Sequence, residues 1–357
     1  NNAVQQQGSK EQAMSEQAPI MTESKNTDVI IIGAGPVGLY AIFQCGMLGM
    51  KTVVIDALDD IGGQCTALYP EKPIYDVAGF PNIESAHLIA RLEQQSAPFH
   101  PEYPLGQQVT GLEKTDTGWT VTTGKGLTVS AKAIIIAAGA GAFGPNRPPL
   151  DGIEDYEGSS VFYAVRRRED FAGRRIVIAG GGDSAIDWAL SLQEVAARIS
   201  IVHRRAKFRA MPDSVAKMER LAVRKEFRRS TMMERLADDD RLDLVTPFQL
   251  HGLEGKNGQL QSVIVQSMEG EEKHIPADIL LPFFGLSTDL GPLKEWGLSF
   301  DRSHIKIDQS TCETDLEGIF AIGDVATYPG KLKLIVNGFG EAATAAHKAH
   351  SYVFPDK

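Results

Sequence analysis

Two glycine-rich turns constrain this chain more than any other feature of its sequence. The first, Gly33-Ala-Gly35-Pro-Val-Gly38, follows the apolar run 28–33 and precedes a helical stretch over 39–48. The second, Gly180-Gly-Gly182-Asp-Ser-Ala185, follows a strand-like run over 175–179 and also opens a helical stretch. A strand, a glycine turn and a helix in this order bind the diphosphate of a dinucleotide at the helix N-terminus. The pattern therefore predicts two copies of one nucleotide-binding unit.

The residues that follow the next strand distinguish the two predicted sites. Asp56 lies 21 positions after Gly35, where a carboxylate accepts hydrogen bonds from a ribose diol. His203 lies 21 positions after Gly182 and begins His203-Arg204-Arg205, with Arg209 four residues further on. Guanidinium groups at this point bind a 2′-phosphate, whereas a solvated arginine surface is the alternative interpretation. The pattern predicts NADPH rather than NADH at the second turn.

A third segment indicates a flavin. Asp324 ends the apolar run 318–324, and residues 338–344 begin a further helical stretch. An acid at this point reaches a flavin ribityl chain, and the positive end of a helix dipole stabilises the charge of a reduced flavin. A Gly-Asp pair also occurs in ordinary turns, so this interpretation depends on the nucleotide turns. Together, the first turn, Asp56 and Asp324 predict FAD.

The order of these segments predicts the domain organisation. Strand-like runs at 133–138 and 318–324 flank the second unit, so we predict that this unit is an insertion. The predicted fold class is α/β, with two Rossmann-like three-layer nucleotide-binding domains and the NADPH domain inserted in a discontinuous FAD domain. Residues 1–27, rich in polar side chains, are predicted to be a disordered tail. The predicted boundaries are 28–141 with 287–357 for FAD and 142–286 for NADPH.

Composition excludes several other classes. The net charge of -10 argues against a nucleic-acid-binding protein. The cysteines, Cys45, Cys65 and Cys312, form no C-x-x-C pair and no metal-ligand spacing, so we predict neither disulfides nor a metal site. No run of about 18 apolar residues could span a bilayer. These features predict a cytoplasmic protein that does not associate with membranes.

Several segments together resemble the thioredoxin reductase superfamily, from about Asp28 to the end of the chain. They are the two glycine turns, Ile61-Gly-Gly-Gln64, the stretch from His203 to Arg209, and Ala321-Ile-Gly-Asp324. In those reductases a Cys-x-x-Cys precedes the second turn, but Ala164 and Arg167 stand at the corresponding positions. Without two nearby thiols there is no disulfide relay. The segment from Cys65 to Asp76 strengthens the resemblance to a branch that lacks the dithiol, the thioredoxin-reductase-like ferredoxin-NADP reductases.

The resemblance implies a homodimer that moves electrons between NADPH and ferredoxin, or flavodoxin, through FAD. A hydride passes to flavin N5 and single-electron steps follow, so no catalytic side chain is predicted. Gln64, Tyr69, Val109, Phe143 and Thr344 are implied as FAD contacts by the resemblance alone. Tyr69 would lie against the isoalloxazine ring, with an ordinary core tyrosine as the alternative.

The complete set of predicted contacts is larger. For FAD it comprises Gly33, Gly35, Pro36, Gly38, Asp56, Gly63, Gln64, Tyr69, Val109, Phe143, Asp324 and Thr344. For NADPH it comprises Gly180, Gly182, Asp183, Ser184, Ala185, His203, Arg204, Arg205 and Arg209.

A docking surface for the acidic ferredoxin would need local positive charge on this acidic chain. The candidate arginines are Arg166, Arg167, Arg168, Arg174 and Arg175, and separately the run 204–229; solvated helix faces are the alternative. Two other functions remain open at this point. One is an NADPH-dependent flavin reductase of a small acceptor such as a quinone or oxygen, and the other is a non-enzymatic flavin and NADPH redox sensor.

Overall fold

The computed structural model describes residues 23–228 and 242–356. In chain order, the helices are α1 Pro36–Met47, α2 Gln64–Ala67, α3 Ser85–Ser96, α4 Asp183–Leu192, α5 Pro212–Arg228 and α6 Ile335–Val353. The strands up to the midpoint are β1 Ser24–Asn26, β2 Val29–Ile32, β3 Thr52–Ile55, β4 Pro73–Ile74, β5 Ile83–Glu84, β6 Val109–Thr115, β7 Gly118–Thr123, β8 Thr128–Ala131, β9 Ala133–Ile136, β10 Ala142–Pro145 and β11 Arg175–Ala179. The later strands are β12 Arg198–Val202, β13 Leu242–Val245, β14 Gln249–Lys256, β15 Gln259–Gln266, β16 Glu272–Pro276, β17 Ile279–Pro282, β18 Leu286–Asp289, β19 Phe300–Asp301, β20 His304–Lys306, β21 Ile319–Ala321 and β22 Ala326–Thr327.

Two parallel sheets of four strands are built on the same plan. In the first, the order is β21-β9-β2-β3, and in the second it is β13-β12-β11-β17. The strand before each glycine turn, β2 or β11, is central and pairs in parallel with the strand that follows the turn's helix. All four residues of β2, β3 and β9 are buried, as expected for unbroken apolar runs in a sheet covered on both faces.

Each parallel sheet is the middle of three layers. In β2, Ile31 packs into a core with α1, α3 and α6, whereas its neighbour Ile30 packs into a second core with the sheet β1-β8-β7-β6. The second sheet has the same arrangement, with α4 and α5 on one face and β14-β15-β16 on the other. Burial of each such isoleucine stabilises the fold by about 1.5–3 kcal/mol. The predicted three-layer fold class is confirmed.

The second sheet lies within the first in sequence. Its strands fall between β9 and β21 of the first sheet, so the predicted insertion is confirmed. The two crossings, β10 and β18, pair with each other in antiparallel fashion, with Ala142 opposite Asp289. Glycines in the left-handed region, Gly141 at φ +73° and Gly285 at φ +84°, precede these strands. The exact domain boundaries stay a prediction.

The predicted tail is partly wrong. Residues 1–22 lie outside the described residues, but Ser24–Asn26 form β1 and pair in parallel with β8. Backbone hydrogen bonds at the sheet edge order these residues, whose side chains are mostly exposed. Apolar patterning cannot reveal such a strand. Within the described ranges, no helix is long and apolar enough to cross a membrane.

Candidate dinucleotide sites

The first glycine turn combines tight packing with one open position. A Cβ at Gly33 would lie 2.3 Å from the Ala137 carbonyl oxygen, and one at Gly38 would lie 1.9 Å from the Gly33 carbonyl oxygen. A Cβ at Gly35 would meet no atom within 4 Å. Gly35 immediately precedes α1, which begins with Pro36 and has no side-chain cap. The open space therefore faces the N–H groups of a helix N-terminus, which is where an anion binds.

Asp56 and a short turn at Gly63 lie against the first glycine turn. The Asp56 carboxylate accepts hydrogen bonds from the Ala34 backbone N–H at 2.6 Å and the Leu58 N–H at 2.8 Å. Burial raises the pKa of this carboxyl group, and the backbone donors oppose that shift. A Cβ on Gly63, which precedes Gln64 and α2, would lie 3.2 Å from the Gly35 Cα atom. The two turns therefore form one wall of the predicted FAD site.

Tyr69, Asp76 and Asp324 lie close enough to interact electrostatically. Burial raises the pKa of the Tyr69 phenol, and the nearby Cys65, Asp324 and Asp76 raise it further. Asp324 is exposed although its neighbours Gly323 and Val325 are buried. The Asp76 carboxylate accepts a hydrogen bond of 2.6 Å from the Ile335 N–H, where α6 begins. Helix α6 thus begins three residues before the predicted start at 338, and Asp76 occupies its first N–H.

Three other predicted FAD contacts have different surroundings. Val109 begins β6 and its side chain is buried in the core between two sheets. Thr344 lies in the middle of α6 and lines a surface groove with Ser310, Thr311, His347 and Lys348. Phe143 lies on β10, but its side chain is outside those described. We therefore assign no side-chain contact with the glycine turns to these three residues.

The second glycine turn has the same two features as the first, one tightly packed glycine and one glycine beside open space. A Cβ at Gly180 would lie 2.7 Å from the Phe283 carbonyl oxygen, whereas one at Gly182 would meet no atom within 4 Å. Helix α4 begins at Asp183, directly after Gly182, and has no side-chain cap. The Asp183 carboxylate accepts a hydrogen bond of 2.8 Å from the Met211 N–H, Ser184 is exposed, and Ala185 is buried. This turn also leaves open space in front of a helix N-terminus.

Backbone contacts hold the arginine-containing loop against the second turn. The Arg209 N–H donates to the Gly181 carbonyl oxygen at 2.7 Å. Arg204 and Arg209 line a cavity of about 720 Å³ together with Gly180, Gly181 and Gly182. Arg205 is exposed and is not among the residues that line this cavity. The structure therefore brings two of the three predicted arginines to the turn.

His203 lies beneath the second turn and is buried. A Cβ at Gly181 would lie 2.3–2.6 Å from three atoms of the His203 ring, which also stacks on Phe208 at 5.3 Å. Burial, and then the charges of Arg209, Arg204 and Arg205, lower the pKa of the imidazole, against the effect of a backbone hydrogen bond at Lys207. Its Nε2 atom is buried and has no hydrogen-bond partner in the described structure. His203 therefore fills space under the turn, which requires glycine at position 181.

Most of the other residues that line the cavity were missed from the sequence. They come from segments distant in sequence from the turn and comprise Pro148, Pro149, Phe248, Gln249, Leu250, His251, Phe283, Phe284 and Gly285. The only signal was the apolar run that ends in Gly285. Neither the loop residues nor the start of β14 carries a periodicity that would assign them to a site.

The structure places no thiol where it could react. Cys45, Cys65 and Cys312 are free and buried, and burial raises the pKa of Cys45 and of Cys312 to about 12. Burial also raises the pKa of Cys65. Thiolates are therefore scarce at neutral pH, which agrees with the missing dithiol.

Salt bridges neutralise part of the predicted basic patch. Arg168 lies 3.6 Å from Glu71 and from Glu84, and Arg175 makes a bidentate contact with Asp278. These two arginines are thus unsuited to attract an acidic partner. Arg166, Arg167 and Arg174 are exposed, and Arg167 lies 3.9 Å from Asp170. The far end of the run 204–229 lies outside the described side chains.

Comparison with known proteins decides the family. The sequence profile described as pyridine nucleotide-disulphide oxidoreductase matches residues 27–349. The chain belongs to this family. Two curated members are named ferredoxin-NADP reductase: one from Paramagnetospirillum magneticum is 56% identical over 92% of this chain and 94% of its own length. The other, from Granulibacter bethesdensis, is 58% identical over 93% of this chain and 91% of its own.

Two solved structures agree with the fold. Thioredoxin reductase from T. acidophilum aligns with a TM-score of 0.76 at 24% identity, over 91% of this chain and 98% of that one. The enzyme from Lactococcus lactis aligns with a TM-score of 0.74 at 24% identity, over 92% and 99%. At this identity the likeness establishes the two-domain Rossmann architecture and nothing more specific.

Proposed function

We propose that this chain is a ferredoxin-NADP reductase that transfers electrons between NADPH and ferredoxin through FAD. The proposal rests on the charges beside the two equivalent turns, which are negative at the first turn and positive at the second. A carboxylate, Asp56, supports the first turn, whereas Arg204 and Arg209 line the cavity at the second. A carboxylate favours a ribose diol and guanidinium groups favour a 2′-phosphate. The names of the two close relatives point the same way.

The first site fits FAD. The gap in front of Gly35 admits a diphosphate, and the exposed Asp324 is free to accept hydrogen bonds from a ribityl chain. When bound, FAD accepts a hydride from NADPH and releases its electrons one at a time. The N-terminus of α1 would hold the diphosphate, Asp56 the ribose, and Tyr69 would cover the ring and exclude water. We assign no catalytic proton transfer to any side chain.

The second site fits NADPH as the substrate. The cavity of about 720 Å³ is within the usual range for a ligand of this size. The N-terminus of α4 faces the open space at Gly182 and would bind the diphosphate, while Arg204 and Arg209 would bind the 2′-phosphate. These contacts fix the orientation of the substrate, which is the contribution the protein makes to a hydride transfer.

A comparison of electron acceptors tests the proposal. The FAD-loaded protein is supplied with NADPH and with ferredoxin plus cytochrome c, thioredoxin plus a disulfide reagent, a quinone, or oxygen. We expect rapid turnover only with ferredoxin, and the same rate in a Cys65→Ala variant because the buried thiol takes no part. Turnover with thioredoxin that Cys65→Ala abolishes would overturn the proposal. Turnover with quinone alone would favour the small-acceptor reductase, and tight binding without turnover would favour a sensor.

The finer parts of the proposal concern the partner surface and the assembly. We infer that exposed Arg166 and Arg174 attract an acidic ferredoxin. Charge reversal at Arg166 and Arg174 should raise the KM for ferredoxin and leave the KM for NADPH unchanged. A homodimer in the cytoplasm also belongs to this proposal; the resemblance supports the dimer, and the three free cysteines support the location.

A further inference from the structure

A buried ion pair lies directly behind the turn that contains Asp324. Glu341 on α6 and Lys331 form a salt bridge in which each side chain is 6% exposed. The Glu341 carboxylate also accepts hydrogen bonds from the Tyr328 hydroxyl at 2.8 Å and from the Gly323 backbone N–H at 2.7 Å. A single carboxylate thus joins α6 to three points of the segment 323–331.

The hydrogen bond to Gly323 acts on the residue next to Asp324. Gly323 has φ +72°, a conformation that L side chains rarely adopt, so the turn needs a specific contact to hold it. Buried Val325 follows Asp324, so both neighbours of the exposed carboxylate are fixed. The Gly323 N–H is the donor that Glu341 satisfies, and an unsatisfied buried N–H destabilises a turn.

The hydrogen bond between Glu341 and Gly323 lies beside the first dinucleotide turn. A Cβ at Gly323 would lie 3.5 Å from the Val37 side chain, and one at Gly338 on α6 would lie 2.4 Å from it. Val37 is the second residue of α1, whose N-terminus faces the open space at Gly35. Helix α6, the Gly323 turn and α1 therefore meet at one side chain beside the predicted diphosphate position.

Tyr328 lies close to both members of the ion pair. Lys331 also lies 5.4 Å from the centre of the Tyr328 ring, and burial followed by the Glu341 carboxylate raises the pKa of Tyr328 to about 12. The phenol therefore stays a donor at neutral pH. Since the Glu341 carboxylate satisfies three donors at once, loss of this carboxylate leaves all three without their partner.

We propose that Glu341, held by Lys331 and Tyr328, is a positioning residue that fixes the Gly323 turn so that Asp324 can bind the ribityl chain of FAD. Glu341 does not touch the cofactor. This inference rests on the proposed role of Asp324 as a FAD contact. It adds that the contact depends on Glu341, a carboxylate that lies behind Asp324 and does not itself bind FAD.

A double-mutant cycle on FAD affinity tests the inference. The apoproteins of wild type, Glu341→Gln, Asp324→Asn and the double variant are titrated with FAD, and flavin fluorescence gives the Kd. We expect Glu341→Gln to raise the Kd about 10-fold, the equivalent of one hydrogen bond at the ribityl chain. The double variant should bind FAD no more weakly than Asp324→Asn alone, since both changes remove the same contact.

A matched variant separates positioning from general stability. Asp278→Asn also breaks a partly buried ion pair, with Arg175 in the second sheet, and should lower the Tm without changing the Kd for FAD. If Glu341→Gln is unfolded, the variant Lys331→Met with Glu341→Gln removes both charges and replaces it in the cycle.

The results of this cycle distinguish the positioning role of Glu341 from the proposed function on which it rests. An unchanged Kd in folded Glu341→Gln, or losses that add fully in the double variant, would overturn the positioning role. If wild type itself fails to bind FAD, or if Asp324→Asn binds as tightly as wild type, the proposed function or the Asp324 contact fails instead. A shift of the flavin absorption band in Glu341→Gln, absent from Asp278→Asn, would be a second supporting result.

Discussion

Charge at single positions separates the two predicted nucleotide sites. Asp56 accepts two backbone hydrogen bonds beside the first turn, whereas Arg204 and Arg209 line the cavity at the second. Arg209 is also anchored through its own N–H to Gly181. Since the anchor belongs to the backbone, the guanidinium group can change without moving the loop.

The positive charge at the second turn predicts the effect of Arg209→Ala. The KM for NADPH should rise about 10- to 100-fold, because a charge-assisted hydrogen bond contributes about 1.5–3 kcal/mol. The KM for NADH, which has no 2′-phosphate, should not change. Steady-state kinetics with both nucleotides measures this effect. Arg220→Ala, an exposed arginine on α5 outside the cavity lining, is the control, and an equal loss there would contradict a specific contact.

The buried His203 ring predicts a pH dependence of stability. Its pKa in the folded protein is lowered from 6.5, so the unfolded chain binds the proton more tightly. The contribution of His203 to the free energy of unfolding is complete above pH 6.5 and decreases as the pH falls below 6.5. Urea unfolding at several pH values should therefore show a smaller acid-induced loss for His203→Gln than for wild type. A larger or equal loss in the variant would contradict the burial of a neutral ring.

At the scale of elements, the strand-turn-helix unit explains what the sequence could predict. Largely apolar runs identified β2, β3, β9, β11 and β12, because strands buried on both faces favour apolar side chains along their whole length. The glycine turns were found for a similar reason, since only glycine fits against the Ala137 and Phe283 carbonyl oxygens. Strand β1 and most of the lining of the predicted NADPH cavity were missed, because backbone pairing and contacts between segments distant in sequence leave no periodic signal.

The two open glycines allow a matched test of these elements. Gly35→Ala and Gly182→Ala add a methyl group that meets no protein atom, at φ values of -71° and -99°, so both variants should fold with the wild-type Tm. Gly35→Ala should raise the Kd for FAD about 10-fold or more, because the methyl group displaces the diphosphate. Gly182→Ala should instead raise the KM for NADPH and leave FAD binding intact. Exchanged effects, or none, would show that the turns are misassigned.

In the whole molecule, a half-buried ion pair joins the two units. Lys72, in the segment between Tyr69 and β4, lies 3.1 Å from Asp187 on α4, and both side chains are less than one-fifth exposed. Tyr69 packs against the helix-side cores of both sheets. The segment 69–76 is thus a contact between the predicted FAD site and the helix that begins at the NADPH turn.

Loss of Lys72 should loosen this contact. Lys72→Met leaves the Asp187 carboxylate without its partner, and an unpaired charge that is largely shielded from water destabilises the interface. Hydrogen exchange should become faster in 69–76 and in α4, and remain unchanged in β2 and β9. Lys294→Met, which breaks an exposed pair with Asp289, serves as the control. Unchanged exchange in Lys72→Met would mean that the apolar contacts of Tyr69 suffice to hold the units together.

We propose that electrons pass from NADPH at the second turn to FAD at the first and then to ferredoxin. Anaerobic rapid mixing of the FAD-loaded protein with NADPH, and then with oxidised ferredoxin, follows both transfers. We expect NADPH to bleach the flavin absorption band and ferredoxin to restore it, with the first step slowed in Gly182→Ala. A flavin that NADPH does not reduce, or a reduced flavin that ferredoxin does not reoxidise, would rule out this electron path.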